Sequence, residues 1–179
     1  IISELQASRS HPDMVPEFTF SPLSATLTST VADIEAASYP EDEKATFDGI
    51  VKRQKEAGEY FFGAVNNTGC LVGFINGTRC DEFTEESMEE HDACGKYLAI
   101  HSVCVKEEYR RKGFATAMLK KYIDIMKSRE KDNIEGLVLI AKKHLIGFYE
   151  SCGFQCDGES AIVHGKDPWF DLRMNLVKD

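Results

Sequence analysis

The chain has 179 residues, of which 42% are hydrophobic and 28% charged, a composition typical of one globular domain that can bury a sizeable core. Its formal net charge of −9 disfavours nucleic acid as a partner. No apolar run approaches the roughly 20 residues of a membrane-spanning helix, and no signal-peptide pattern opens the sequence. We therefore expect a cytoplasmic protein without a nucleic-acid or membrane partner.

The first part of the chain predicts one short strand followed by two helices. Residues 18–20 alternate as a strand does, and apolar residues at helical spacing predict a helix over residues 28–39. A second helix is expected to begin at Pro40, because the acidic residues that follow it suit the positive end of a helix dipole. Gly58 is typical of a residue that ends such a helix.

A hairpin and a longer strand come next. Two β-rich runs, at residues 60–65 and 70–78, are separated by the sequence Asn-Asn-Thr-Gly, which favours a hairpin turn. The strongly acidic residues 81–92 are interpreted as an insertion. Residues 97–105 are mostly apolar and predict a long strand.

The last part of the chain alternates helices and strands. Residues 113–127 place apolar side chains on one face, as an amphipathic helix does, and residues 137–141 form a short continuous apolar strand. A helix over residues 144–152 and strands at 162–163 and 169–176 complete the pattern. This order predicts an α/β (α+β) fold with a mixed sheet.

The domain is expected to span residues 17–179. Residues 1–16 show no sustained period, so we interpret them as a loose N-terminal arm. No repeat, low-complexity tract or linker divides the rest of the chain.

A basic loop joins the strand predicted at 97–105 to the helix that follows it. The cations at 110–112 stand directly before Gly113, and at a helix N-terminus they oppose the dipole, at a cost of ~0.3–1 kcal/mol each. An anion bound to the free N–H groups removes that conflict, and the small residues Gly113 and Ala115 let the backbone approach it closely. The alternative is a solvated basic turn. The chain lacks the P-loop and dinucleotide-binding patterns, so a phosphate bound here belongs to another class of site.

Two segments resemble motifs of the Gcn5-related N-acetyltransferase (GNAT) superfamily. Residues 110–115, Arg-Arg-Lys-Gly-Phe-Ala, are similar to its Arg/Gln-x-x-Gly-x-Gly/Ala motif, whose amides hold the pyrophosphate of coenzyme A. Residues 148–154, Phe-Tyr-Glu-Ser-Cys-Gly-Phe, resemble its Phe/Leu-Tyr-x-x-x-Gly-Phe segment. The resemblance implies a sheet of about seven strands flanked by about four helices, with acetyl-CoA as the acetyl donor and no metal.

Further stretches resemble the arylalkylamine (serotonin) and fungal polyamine acetyltransferase branch of that superfamily. They are residues 74–78, 83–87, 100–105 and 161–165. The resemblance implies transfer of acetyl to a small primary amine by direct attack on the thioester. We expect the protein to be a monomer or weak dimer. A protein lysine or N-terminal acetyltransferase and a non-catalytic coenzyme A sensor are the alternatives.

Two residues match the family's proton-transfer groups. His101 matches a histidine that helps to deprotonate the amine, and Tyr149 matches the tyrosine that protonates, or hydrogen-bonds, the departing thiolate. Animal members of the branch carry His-x-His, whereas this chain has Ala99 at the first position. Proton removal is therefore expected through His101, water or a carboxylate such as Glu35. An acetyl-enzyme on Cys104 is the alternative to direct transfer.

The resemblance also implies contacts with the donor and the acceptor. The backbone at 103–105 would pair with the pantetheine arm, and the helix start would hold the pyrophosphate. The residues expected at the cofactor are Val103, Cys104, Val105, Arg111, Lys112, Gly113, Phe114, Ala115, Thr116, Ile140 and Tyr149. Tyr39 and Trp169 match aromatic walls of the acceptor site, and Lys142 stands where many members have asparagine. The histidines interpreted as structural or surface residues are His11, His91, His144 and His164.

Overall fold

The computed structural model describes residues 15–176, so nearly all of the predicted N-terminal arm lies outside the described residues. The helices and strands are, in chain order, β1 (Phe18–Pro22), α1 (Thr28–Ala36), α2 (Phe47–Glu56), β2 (Phe62–Asn66), β3 (Leu71–Cys80), β4 (Tyr97–Val105), α3 (Phe114–Ser128), β5 (Gly136–Lys142), α4 (Ile146–Ser151), β6 (Gln155–Glu159) and β7 (Trp169–Asn175). None of the helices within this part of the chain is both long and apolar enough to cross a membrane.

The strands form one sheet of seven in the order β1-β2-β3-β4-β5-β7-β6. Every neighbouring pair is antiparallel except β4 and β5, which are parallel. Their pairing extends only from Tyr97 opposite Gly136 to Ala99 opposite Val138. The predicted mixed sheet of about seven strands with four helices is therefore confirmed, and β4 and β5 diverge beyond Ala99.

A β-bulge interrupts the pairing of β3 with β4. Asn76 lies opposite Ser102, whereas the next residue, Gly77, lies opposite Ile100. His101 is therefore the extra residue of the bulge, which breaks the regular alternation of side chains across the sheet at this point.

Helices cover both faces of the sheet. On one face α3 buries an apolar stripe that includes Phe114, Met118 and Tyr122. On the other face Val31 of α1 and Ile50 of α2 pack in a smaller buried cluster against β3. The helical spacing predicted for residues 113–127 is confirmed, because α3 has nearly the same bounds and presents these residues to the core.

The second helix begins later than predicted. Pro40 opens a turn in which its carbonyl accepts hydrogen bonds from the N–H groups of Glu43 and Lys44, and α2 begins only at Phe47. Thr46 caps α2, since its side chain accepts a hydrogen bond from the N–H of Gly49 at 3.1 Å. The acidic residues after Pro40 therefore do not serve a helix dipole; Glu43 is instead buried in a tertiary ion pair.

The strand predicted at residues 162–163 is absent from the sheet, and β6 at Gln155–Glu159 takes its place. β6 is an edge strand that pairs only with β7 and is half exposed. Its Asp157 and Gly158 have low β-propensity, so composition gave no signal for it. Antiparallel pairing with β7 stabilises the strand despite the low β-propensity of these residues.

Thr46→Ala tests where α2 begins. Loss of the capping hydroxyl leaves a helix N–H without its partner, so the free energy of unfolding should fall by about 1 kcal/mol. Urea unfolding followed by circular dichroism measures it, with Thr46→Ser, which keeps the hydroxyl, as the control. Equal stability of Thr46→Ala and the wild type would show that this hydroxyl does not cap the helix.

Candidate active site

The divergence of β4 and β5 opens a groove along β4. Val103, Cys104 and Val105 line its floor, because beyond Ala99 this strand has no β5 partner in the described structure. The start of α3 closes one end, and Phe148 of α4 lies along the side. The groove has a volume of about 690 Å³. Apart from the carbonyl of Val105, which accepts a hydrogen bond from Arg110, the groove therefore offers strand backbone without a β5 partner to an extended ligand.

The N-terminus of α3 points into this groove without a cap of its own. Gly113 occupies the N-cap position with φ 75°, and no side chain caps the helix and no acidic residue lies in its first turn. By contrast, α2 has Thr46 as its cap and Asp48 in its first turn. The first N–H groups of α3 thus keep the capacity to bind an anion.

The loop before α3 has a strained backbone. Arg111 adopts φ 61°, a left-handed conformation that is unfavourable for a residue with a side chain. Arg110 fixes the loop from behind: its Nε donates to the carbonyl of Val105 at 2.8 Å, and its Nη2 donates to Oγ of Ser38 at 3.1 Å. These contacts hold the loop against β4 and the end of α1.

Most residues expected at the cofactor line this groove. They are Val103, Cys104, Val105, Arg111, Gly113, Phe114, Ala115, Thr116 and Tyr149. Lys112 does not line it, since its Nζ donates to the carbonyl of Glu108 at 2.9 Å. Ile140 lies instead in the second cavity described next.

A second, narrower cavity adjoins the groove. Its volume is about 50 Å³, enough for a few waters or the head of a small ligand. Tyr39, Val103 and Tyr149 line both the cavity and the groove, so the two meet at these residues. The predicted residues His101, Glu35 and Trp169 also line the cavity, which we call the acceptor pocket.

His101 presents one unpartnered nitrogen. Its Nε2 lies 2.7 Å from Oγ1 of Thr78, whereas Nδ1 is buried and has no hydrogen-bond partner among the described residues. Burial lowers the pKa of His101 well below its usual value, and the charges of Arg53 and His164 lower it further. The imidazole is therefore neutral near pH 7, the form that accepts a proton.

Glu35 lies on α1 with its carboxylate almost fully buried. Oε1 accepts a hydrogen bond from the N–H of Ala45 at 3.0 Å, and Oε2 accepts one from Sγ of Cys104 at 3.3 Å. Burial raises the pKa of the Cys104 thiol well above its usual value, and the nearby carboxylate raises it further. Cys104 is accordingly a neutral hydrogen-bond donor and a poor nucleophile.

Tyr149 stands where the groove and the pocket meet. Burial raises its pKa well above the usual value of a phenol, with smaller effects from Cys104 and Cys152. Burial also raises the pKa of Tyr39, which faces the same junction. Both hydroxyls thus keep their protons at neutral pH and can donate hydrogen bonds.

The outer wall of the pocket is held by a cluster of charges. Nζ of Lys142 binds the carboxylate of Glu43 and, at 2.9 Å, that of Asp167. It also lies 4.6 Å from the ring centroid of Trp169, within the range of a cation–π contact. His164 contributes by placing Nε2 2.8 Å from the carbonyl oxygen of Glu43. Lys142 therefore joins the 40–46 turn to the loop before β7.

The sequence interpretation missed several residues of these cavities. Arg53, Glu43 and His164 line the acceptor pocket, and His144 lines the groove, although both histidines were interpreted as structural or surface residues. Arg53 stands among other charged residues on α2, so the sequence of this helix is typical of a face exposed to solvent. Only the packing of distant segments brings these side chains together, and no local pattern indicates it.

The groove fits an acyl-coenzyme A. Unpaired strand backbone suits an amide-containing arm, and the uncapped N-terminus with Gly113 suits a diphosphate, because a side chain at φ 75° would be strained and would obstruct the approach. Within residues 15–176 no group of three or more His, Cys, Asp or Glu side chains is placed to hold a metal ion.

Comparison with known proteins agrees with this architecture. The profile of the acetyltransferase (GNAT) family matches residues 28–154, so the chain belongs to that family, and the predicted superfamily is confirmed. The chain is 30% identical over 110 residues to the serotonin N-acetyltransferase of Mesocricetus auratus, which covers 60% of this chain and 52% of that protein. It spans about half the length of the curated serotonin N-acetyltransferases that it matches.

Solved structures share the fold. The loading GNATL domain of CurA from Lyngbya majuscula superposes with a TM-score of 0.79 at 13% identity, covering 89% of this chain and 98% of that one. A phosphinothricin acetyltransferase from Sinorhizobium meliloti, solved with acetyl-CoA, gives a TM-score of 0.66 at 12% identity and covers 90% and 89% of the two chains. At these identities the likeness shows the fold alone.

The depressed pKa of His101 makes stability depend on pH. Below about pH 6.5, the usual histidine pKa, the unfolded chain binds a proton here that the folded chain does not. Stability should therefore fall as the pH drops below 6.5, by up to ~1.4 kcal/mol per pH unit from this residue. In His101→Gln the loss of unfolding free energy between pH 7 and 5.5 should be smaller.

Urea unfolding at the two pH values measures the difference. His144→Gln, which removes an exposed histidine, is the matched control. A loss of stability in His101→Gln as large as in the wild type would contradict the assignment of a neutral buried imidazole.

Proposed function

We propose that this protein is an acetyl-CoA-dependent N-acetyltransferase that transfers an acetyl group to a small primary amine by direct attack on the thioester. The observation that carries the proposal is the junction at which Tyr39, Val103 and Tyr149 line both the groove and the acceptor pocket. The family membership and the relative named serotonin N-acetyltransferase support it.

The donor would lie along β4. The backbone of Val103–Val105 would bind the pantetheine arm as an added strand, and the N–H groups of Phe114 to Thr116 would hold the pyrophosphate. The structural relative from Sinorhizobium meliloti, solved with acetyl-CoA, supports this choice of ligand. When bound, acetyl-CoA supplies the thioester carbonyl. The N–H groups of β4 near Val103 would polarise its oxygen.

The first step of the proposed reaction is removal of a proton from the amine in the acceptor pocket. An ammonium has no free electron pair, so it must lose a proton before it attacks the thioester. We assign this role to Nδ1 of His101, directly or through a water, because this nitrogen is unpartnered and the depressed pKa keeps the ring neutral. The role requires the tautomer in which Nε2–H donates to Oγ1 of Thr78, which leaves the lone pair of Nδ1 free to accept the proton. Glu35 lies in the same pocket and supports the charge of the arriving ammonium.

Tyr149 is assigned to the departing thiolate. Its raised pKa keeps the phenol protonated, so it can donate a hydrogen bond, or its proton, to the sulfur as the C–S bond breaks. Direct transfer is preferred to an acetyl-enzyme on Cys104, because that thiol is buried, donates to Glu35 and has a raised pKa.

The pocket walls favour a small amine over a protein substrate. Tyr39 and Trp169 provide aromatic faces, and the cluster around Lys142 closes the outer side of a cavity of about 50 Å³. A protein lysine or N-terminal acetyltransferase needs a surface open to a peptide. A non-catalytic coenzyme A sensor would have no use for a neutral histidine beside the donor groove.

Gly113→Glu tests the pyrophosphate site. A side chain would be strained at φ 75° and would place a negative charge at the helix N-terminus, so acetyl-CoA binding should be abolished in titration calorimetry. Gly69→Glu is the control, because Gly69 is also left-handed, at φ 82°, but lies in the β2–β3 turn. Unchanged affinity in Gly113→Glu would refute the placement of the donor.

Turnover tests the proton-transfer roles. The wild type should release free thiol from acetyl-CoA only when an amine is present, in a panel that includes tryptamine, phenethylamine and spermine. Tyr149→Phe and His101→Gln should each lower kcat by about 10²-fold, the low end of general acid–base effects. Tyr97→Phe, outside both cavities, is the matched control. If both site variants keep the wild-type kcat, the assigned roles are wrong.

A further inference from the structure

Arg53 is a cation of the acceptor pocket that the proposed reaction does not use. It extends from α2 and lines the pocket together with Glu35 and His101. The one hydrogen bond of its side chain to the described residues is a long one, from Nη2 to the carbonyl of Met88 at 3.4 Å. No carboxylate of the described residues lies within ion-pair distance. The side chain is half-buried and burial lowers its pKa, so this guanidinium has lost part of its hydration without gaining a salt-bridge partner among the described residues.

The two carboxylates that line the pocket differ in whether they have an ion-pair partner. Glu43 is satisfied, because Lys142 binds its carboxylate in the outer wall. Glu35 has hydrogen bonds from Ala45 and Cys104 but no ion pair with a cation of residues 15–176. Glu35 and Arg53 are thus the carboxylate and the guanidinium of the pocket without an ion-pair partner among the described residues. They attract each other without direct contact, since the charge of Glu35, and to a smaller extent that of Glu89, raises the pKa of Arg53 against the effect of burial.

The two charges differ in their distance from the donor groove. Glu35 does not line the groove itself, but its carboxylate accepts a hydrogen bond from Cys104, which does, so Glu35 is one contact away from the groove. Arg53 belongs to α2 and contacts Met88 of the insertion between β3 and β4, and neither residue lines the groove. An acceptor that spans the pocket therefore meets a negative group near the donor and a positive group farther away.

We propose that the acceptor is zwitterionic: a compound with a primary amine and a carboxylate, whose ammonium lies at Glu35 and His101 and whose carboxylate binds Arg53. This inference rests on the proposed function and narrows its substrate class from amines in general to amino acids. The planar guanidinium suits a carboxylate, which it can bind through two parallel hydrogen bonds. The partner that the fold does not supply to Arg53 is supplied by the substrate.

Matched acceptors test the proposal by turnover. Phenylalanine with phenethylamine, and 4-aminobutyrate with butylamine, differ within each pair chiefly by the carboxylate. In the wild type the acid should have the higher kcat/KM in at least one pair, and Arg53→Gln should lower the acid-to-amine ratio by about tenfold or more, as expected when a charge-assisted hydrogen bond is lost. Lys55→Gln removes an exposed charge from the same helix and should keep the ratio.

The ratio separates substrate recognition from a structural role of Arg53. If Arg53 only holds the Met88 segment, Arg53→Gln changes both members of a pair equally and the ratio stays constant. A constant ratio, or a wild type that prefers the amine in both pairs, overturns the proposal. If the amines are acetylated without this preference, the proposed function survives and only the zwitterionic acceptor is rejected.

Binding gives a readout that does not depend on turnover. The chain has a single tryptophan, and Trp169 lines the acceptor pocket, so its fluorescence reports ligands there. 3-Phenylpropanoate, which has the carboxylate but no amine, should quench or shift this emission in the wild type in the presence of coenzyme A, and Arg53→Gln should weaken the binding about tenfold. No response in the wild type, or equal affinity in the variant, would contradict the carboxylate site. This test remains valid even if the protein releases no thiol from acetyl-CoA with any amine.

Discussion

The parting of two parallel strands is the constraint on which both cavities depend. β4 and β5 pair over only three residues of each strand, from Tyr97 to Ala99 on β4. Had they paired along their full length, the backbone of Val103–Val105 would be consumed by the sheet and no groove would exist. Since α3 and α4 follow these two strands, the same divergence decides where the helix start and Tyr149 come to lie. The sheet therefore leaves hydrogen-bonding capacity unused in its own interior, at a place where a ligand can take it up.

Electrostatics divides the region into two environments. The groove ends at an uncapped, acid-free helix N-terminus, which favours an anion. The acceptor pocket is partly desolvated, and burial there holds His101 neutral and keeps the phenols of Tyr149 and Tyr39 protonated. The helix start thus favours a bound anion, whereas burial in the pocket keeps the imidazole of His101 and the two phenols uncharged. The contrast arises from packing, because the residue types alone would be equally at home on a surface.

The sequence predicted the elements with strong local signals and missed those fixed by distant contacts. The strand at residues 97–105 has the predicted bounds, and α3 differs by one residue at each end, because apolar periodicity was sustained over both. Pro40 was misread as a helix start because the buried pair of Glu43 with Lys142 joins segments 99 residues apart. Arg53 and His164 escaped notice for the same reason. Their surroundings are created by tertiary packing and leave no periodic trace in the chain.

Because of the bulge in β4, the orientation of the His101 imidazole depends on the number of residues in this strand. Asn76 and Gly77 are adjacent on β3, yet their partners, Ser102 and Ile100, are separated by His101. Removal of any one residue from this part of β4 would let the two strands align without interruption, and a shift of one residue turns side chains to the opposite face of a sheet. Two proteins with the same residues here, but differing by one in strand length, would place their imidazoles on opposite faces of the sheet. The number of residues in β4 therefore determines the position of the imidazole as much as the presence of the histidine does.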